Sequence, residues 1–103
     1  MASFEVLREK DCATVAPTGD VVASSVSELR PAMRDLVRSG IREMVLDLGR
    51  AEMIDSTGIG LMLSAYNSLS AAGGKFSVIH ASTEMVELLR TMRVQQHFQV
   101  SGR

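Results

Sequence analysis

The sequence predicts an α/β domain whose elements run β-β-α-β-α-β-α-β. Two short, near-continuous apolar runs, Glu43 to Leu48 and Lys75 to His80, have the length and composition of strands. The stretches that follow them repeat apolar residues at three- and four-residue spacing, as helices do. Strands alternating with helices need crossover connections, so the later strands should pair mostly in parallel.

Phe4 to Arg8 alternates Phe4, Val6 and Arg8 against Glu5 and Leu7, a short strand signal. Asp11-Cys12 is a plausible turn, and Cys12 to Thr18 is a second strand with Ala13, Val15 and Pro17 on one face. Pro17 has no donor and belongs at a strand end or edge. The two strands are close enough for a hairpin. After Gly19-Asp20, Ser24 or Ser25 can cap a helix to about Ser39 whose apolar set is Val26, Leu29, Met33, Leu36 and Val37. Pro31 conflicts with that span, so the helix could instead start at Arg30 with Pro31 at its first position. Gly40 is a C-terminal stop.

Glu43 to Leu48 suits a central strand covered on both faces. The loop Gly49 to Met53 leads into Asp55-Ser56-Thr57 and a helix to about Ala72, closed by Gly73-Gly74. Lys75 to His80 is the next strand. Ser82 or Thr83 caps a helix through about Thr91, with Met85, Leu88, Leu89 and Met92 facing inward. Phe98 to Val100 could form a last short strand.

The 103 residues suffice for one compact domain, taken here as 1–103, and are too few for two. A hydrophobic fraction of 46% supplies a core, and a net charge of −1 with scattered Lys and Arg does not track a nucleic-acid backbone. No apolar run has membrane-span length and no signal-peptide pattern opens the chain. The single cysteine, Cys12, excludes an internal disulfide and fits a reducing compartment, with the cytoplasm as default. Cys12, His80 and His97 lack metal-ligand spacing, so neither a metal nor a tightly held cofactor is expected. The methionines, among them Met33, Met44, Met62 and Met85, fall mainly at core positions and should pack rather than bind.

From Ser56 through Gly74 there is no Lys, Arg, Asp or Glu, in a chain that is 22% charged. At helical spacing Ile59, Met62, Leu63, Tyr66 and Leu69 form the inward stripe. Gly60, Ser64, Asn67, Ser68 and Ala71 form the opposite side, with Leu61 at its border. Solvated helix faces carry charge, whereas interface cores are depleted of it. The face is either a docking surface around Ser56, Gly60, Leu61 and Ser64, or a bland exterior, bare or covered by a chain terminus. The hydroxyl corner beside it favours docking.

Ser56 itself has three readings. It can be a helix N-cap. It can be a nucleophile served by His80 or His97, although Ile54 occupies the place of the first glycine of a G-x-S-x-G elbow. It can be a phosphoacceptor, since a helix start tolerates an anion. Gly58 and Gly60 belong to neither a P-loop nor a G-x-G-x-x-G pattern, and their expected use is to let a partner approach closely.

The segment Met53-Ile54-Asp55-Ser56-Thr57-Gly58-Ile59-Gly60-Leu61 resembles the Asp-Ser-Ser/Thr-Gly-Leu-Gly signature of the STAS family, the sulfate-transporter and anti-sigma-factor-antagonist domains. Val45-Leu46-Asp47-Leu48 upstream and Ala72-Gly73-Gly74-Lys75 downstream support it. The resemblance implies a single STAS-like domain with a mixed sheet and helices mainly on one side. It implies a stand-alone bacterial anti-sigma-factor antagonist that is not an enzyme. Its partner would be an anti-sigma factor that is also a serine kinase with a histidine-kinase-like ATPase fold. Carried over, Ser56 is the phosphoacceptor, Asp55 shapes the acceptor corner, and Thr57, Gly58, Gly60, Leu61 and Ser64 lie in the kinase contact. A metal-dependent PP2C-type phosphatase would reverse the modification. A scaffold subunit of a stress-signalling or lipid-transport complex, never phosphorylated, is the alternative. No nucleic acid or membrane is expected as partner, and a monomer is the default. Two positions depart from the family: Val22 stands where an Asp often lies near the phosphorylation site, and Met92-Arg93 where Ser-Gly is common.

Overall fold

The computed structural model describes residues 3–103. Phe4–Glu9 (β1) and Cys12–Pro17 (β2) form an antiparallel hairpin in unbroken register, from Phe4 opposite Pro17 to Glu9 opposite Cys12. The turn is Lys10-Asp11, with Lys10 at φ +55°. Glu43–Asp47 (β3) runs parallel to β2, Lys75–Ala81 (β4) parallel to β3, and Gln99–Gly102 (β5) parallel to β4. The sheet order β1-β2-β3-β4-β5 puts β3 at the centre. The expected order of elements is the observed one, with a 3-10 turn at Val94–Gln96 added before the last strand.

Three helices, α1 (Ala23–Arg38), α2 (Ser56–Ala71) and α3 (Thr83–Thr91), cover one face of the sheet. Strand side chains alternate accordingly. Ala13, Val15, Met44, Leu46, Phe76 and Val78 are buried beneath the helices, while Thr14, Val45, Ser77 and Ile79 on the other face are half-buried. The expectation that the central strand is covered on both faces is therefore corrected: Val45 and Asp47 lie on a side that no helix shields. Met33, Met44, Met62 and Met85 are all core residues.

The helix from Ala23 runs unbroken through Pro31, which corrects the start at Arg30. Packing decides this. Val26 and Leu29 before the proline and Met33 after it are buried on the same face. Pro31 is exposed, and so is Ser27, four residues back, whose carbonyl loses its helical donor on the wet side. The second helix ends as expected at Gly73, whose φ of +79° only glycine adopts freely. Gly73 N–H donates to Ser70 C=O at 3.1 Å and Gly74 N–H to Leu69 C=O at 2.7 Å, a Schellman closure. Ser82 caps α3 by accepting from Met85 N–H at 3.2 Å. Its inward stripe is Met85, Val86 and Leu89, which rotates Leu88 and Met92 outward to 37% and 51% exposure, against the expectation that both face the core.

Candidate functional site

Asp55 is the N-cap of α2, extended at φ −111° and ψ −174°. One carboxylate oxygen accepts from Thr57 N–H at 3.0 Å, from Gly58 N–H at 3.1 Å and from the Thr57 hydroxyl. The other accepts from Ala23 N–H at 3.2 Å, in the first turn of α1. One carboxylate thus caps two helices. Val22, the N-cap of α1, has no side-chain acceptor, and Asp55 supplies it from the neighbouring segment. The Thr57 hydroxyl, followed by the backbone N–H groups of Gly58, Ala23 and Thr57, holds the Asp55 carboxyl below the usual carboxylate range; desolvation opposes this.

The segments carrying the two helix starts are tied together upstream as well. Val21 and Ile54 form a parallel bridge, with Val21 N–H donating to Met53 C=O at 3.0 Å and Asp55 N–H to Val21 C=O at 3.3 Å. Asp20 Oδ1 accepts from Glu52 N–H and Met53 N–H, both at 3.0 Å. Asp20 and Val21 belong to the corner although the sequence did not single them out. The only available signal was the extended Gly19-Asp20-Val21-Val22 stretch after the second strand.

Ser56 is the first helical residue of α2, not its cap. It is exposed, and its hydroxyl takes part in none of the hydrogen bonds that hold the corner. Thr57 is exposed too, but its hydroxyl is committed to Asp55. Gly60 and Ser64 are exposed, with open space where a Gly60 Cβ would stand. The two remaining residues expected in the contact lie inside the fold. Leu61 is 2% exposed, packed in the cleft between α1 and α2 with Met33, Val37 and Ala65. Gly58 is buried, and a Cβ there would stand 2.6 Å from both Ile54 Cγ1 and the Val21 carbonyl oxygen. Its missing side chain lets α2 close on the Val21–Ile54 bridge rather than admitting a partner. Arg30 and Arg34, one turn apart on α1, line the same cleft as Ser64 and Ser68. They flank the uncharged face with positive charge, which helical spacing alone did not reveal.

Neither histidine serves Ser56. His80 Nδ1 pairs with Asp47 Oδ1 at 2.9 Å, and the His97 ring packs on Tyr66 with centroids 5.4 Å apart. Cys12 sits on the helix-free face, where desolvation and then the charges of Glu43, Asp11 and Glu9 push its thiol up. No helix among the described residues is long and apolar enough to cross a membrane.

Known structures share this architecture. A protein of Thermotoga maritima, named as a candidate anti-sigma factor antagonist, superposes with a TM-score of 0.90 at 18% identity, covering 97% of this chain and 86% of its own. An anti-sigma factor antagonist from Mycobacterium paratuberculosis gives 0.85 at 18% identity over 97% and 85%. The phosphorylated form of SpoIIAA, a Bacillus cell fate determinant, gives 0.79 at 16% identity over 97% and 91%. At these identities the likeness is one of fold. The family described as "Mlab, STAS domain" matches residues 4–100. With that match over nearly its whole length, the chain belongs to the STAS domain family.

Proposed function

We propose that this STAS domain is an anti-sigma-factor antagonist of a partner-switching pathway, toggled at Ser56. Unphosphorylated, it binds an anti-sigma serine kinase of histidine-kinase-like ATPase fold. Phosphorylation of Ser56 releases it, and a PP2C-type phosphatase restores it. The observation that carries this reading is the contrast between two adjacent hydroxyls: Thr57 is bound to Asp55, whereas Ser56 is exposed and free. A phosphate on Ser56 would find the Thr57 and Gly58 N–H groups already taken by Asp55. Its charge would therefore add to that of Asp55 instead of being absorbed by the helix start. The corner keeps its shape while its surface becomes more strongly negative.

Such a charge inside a contact built around Gly60 and Ser64 brings repulsion and desolvation cost. Each ~1.4 kcal/mol lost is tenfold in affinity, so a few such increments empty the complex. Incubation with an ATPase-fold serine kinase and ATP, followed by intact mass, should add a single phosphate, absent in Ser56→Ala. Ser56→Ala should bind the kinase like the wild type, and Ser56→Asp should bind more weakly. Equal affinities for all three would defeat the switch. Val22, standing where the family often has an Asp, favours a second reading. On it, the domain is a non-switching subunit that docks through the same face and gains no mass with kinase and ATP.

A further inference from the structure

We propose that the domain forms a reversible symmetric dimer in which the β1 edges of two copies join antiparallel about Val6, making one continuous sheet. Both sheet edges are unpaired among the described residues, and they differ. At the far edge β5 is four residues long, and its register against β4 shifts between Val78 and Ala81. Bulged, short edges resist pairing. Strand β1 is six residues long, regular, free of proline and without a bulge. It carries two of the protein's exposed large hydrophobics, Val6 at 43% and Leu7 at 64%.

The ladder fixes which backbone groups are free. Thr18 N–H donates to Ser3 C=O at 3.0 Å, one step beyond the Phe4–Pro17 pair. Antiparallel pairs alternate between bonded and non-bonded, so Ser3, Glu5, Leu7 and Glu9 turn their N–H and C=O groups toward β2. Phe4, Val6 and Arg8 turn theirs outward. Pro17, which has no N–H, falls at a non-bonded position opposite Phe4, as this phase requires.

A two-fold axis normal to the sheet must pair outward residues with outward residues, on the same face. Centred on Val6, it sets Val6 against Val6 and Phe4 against Arg8 in both directions, using every free donor and acceptor of the strand. Centred on Leu7 it would call on groups already spent on β2. On the helix-free face Leu7 then lies opposite Glu5 of the second copy, against its aliphatic stem. Arg8, a charge that could guard the edge, is drawn back to its own chain by a 2.7 Å bond from its guanidinium to the Ser39 hydroxyl. An edge contact of this size is smaller than the standard interface, so the dimer dissociates on dilution.

Sedimentation equilibrium of the full chain, carried up to millimolar concentration, should show the mean mass rising toward twice the monomer value. Amide exchange should slow with concentration at Phe4, Val6 and Arg8 but not at Glu5, Leu7 and Glu9. Val6→Lys, which sets two ammonium groups face to face, should abolish the rise, while Leu88→Lys on α3 should not. In a Cys12→Ser background, Val6→Cys should oxidise to a disulfide dimer, because bonded antiparallel partners lie about 5.5 Å apart between Cα atoms, within disulfide reach. Leu7→Cys should not, because in this register the two Leu7 positions are diagonal neighbours beyond that reach. A monomer at every concentration with no protection at Val6 would overturn the proposal. So would association that survives Val6→Lys, or cross-linking as fast at Leu7→Cys as at Val6→Cys. Should Val6→Lys fold poorly, the exchange pattern and the paired cysteine variants decide.

Discussion

Asp55 is the residue on which the corner turns, because its carboxylate caps both α1 and α2. Its folded pKa lies below the ordinary value of 3.8, held down first by the Thr57 hydroxyl. A depressed carboxyl stabilises the fold above its unfolded pKa and loses that contribution as pH falls through its folded one. The thermal midpoint should therefore drop on acidification below the ordinary carboxylate range, and Asp55→Asn should start lower and fall less steeply there. Parallel midpoint–pH curves for the two proteins would contradict this. The two glycines of the signature should separate fold from recognition. Gly58→Ala drives a Cβ against the Val21 carbonyl, which has no rotamer to yield. It should cost about 1–3 kcal/mol in urea unfolding, the usual range for overpacking. Gly60→Ala meets nothing and should gain roughly 0.5–1 kcal/mol from helix propensity. If Gly60 lies in the kinase contact, the same variant should nevertheless bind more weakly.

At the level of elements, α1 carries a local contradiction that tertiary packing overrides. Pro31 in a helix interior removes one hydrogen bond and crowds the preceding turn. Because the residue is exposed, Pro31→Ala should restore the bond to Ser27 without disturbing Val26, Leu29 or Met33. A stabilisation of about 1–3 kcal/mol is expected by chemical denaturation, and a loss would mean that the turn depends on the proline. The same contradiction explains what the sequence could convey. Apolar period and glycine stops located the strands and helices of the chain because those signals are local. The continuation of α1 across Pro31 was not legible, since it depends on what Met33 packs against in three dimensions. The face of α3 was misjudged for the same reason. Leu88 and Met92 are apolar and helically spaced, but the helix is only nine residues long and its contact stripe is set by Met85 and Leu89.

Across the whole molecule, the corner was legible at Asp55, Ser56 and Thr57, where chemistry and helix start coincide in sequence. It was not legible at Leu61 and Gly58, which look like surface residues until α1 and the Val21–Ile54 bridge are placed against them. Nor could a linear reading find the contacts that hold the Gly49–Met53 loop, because they come from opposite ends of the chain. Asp20 fixes its second half through Glu52 and Met53. Arg103 fixes its first half, with one guanidinium nitrogen donating to the carbonyls of Leu48 at 3.3 Å, Gly49 at 3.2 Å and Ala51 at 2.9 Å. A second nitrogen reaches His80 C=O at 3.2 Å, and the Arg103 N–H reaches Ala81 C=O at 3.2 Å. Charged donors on partly buried carbonyls are worth more than neutral ones; without Arg103 the Ala51 carbonyl would lose its partner, while that of Leu48 would keep the Ala51 N–H. Arg103→Met keeps the stem and removes the donors. It should cost about 1–2 kcal/mol in urea unfolding, an amount moderated by the exposure of the side chain. Its signature should be local: faster amide exchange at Ala51, whose N–H bonds Leu48 C=O at 3.1 Å, with little change at Met44 and Leu46 in the central strand. Uniform acceleration across the sheet would show instead that Arg103 holds the global fold rather than anchoring the first half of the loop locally.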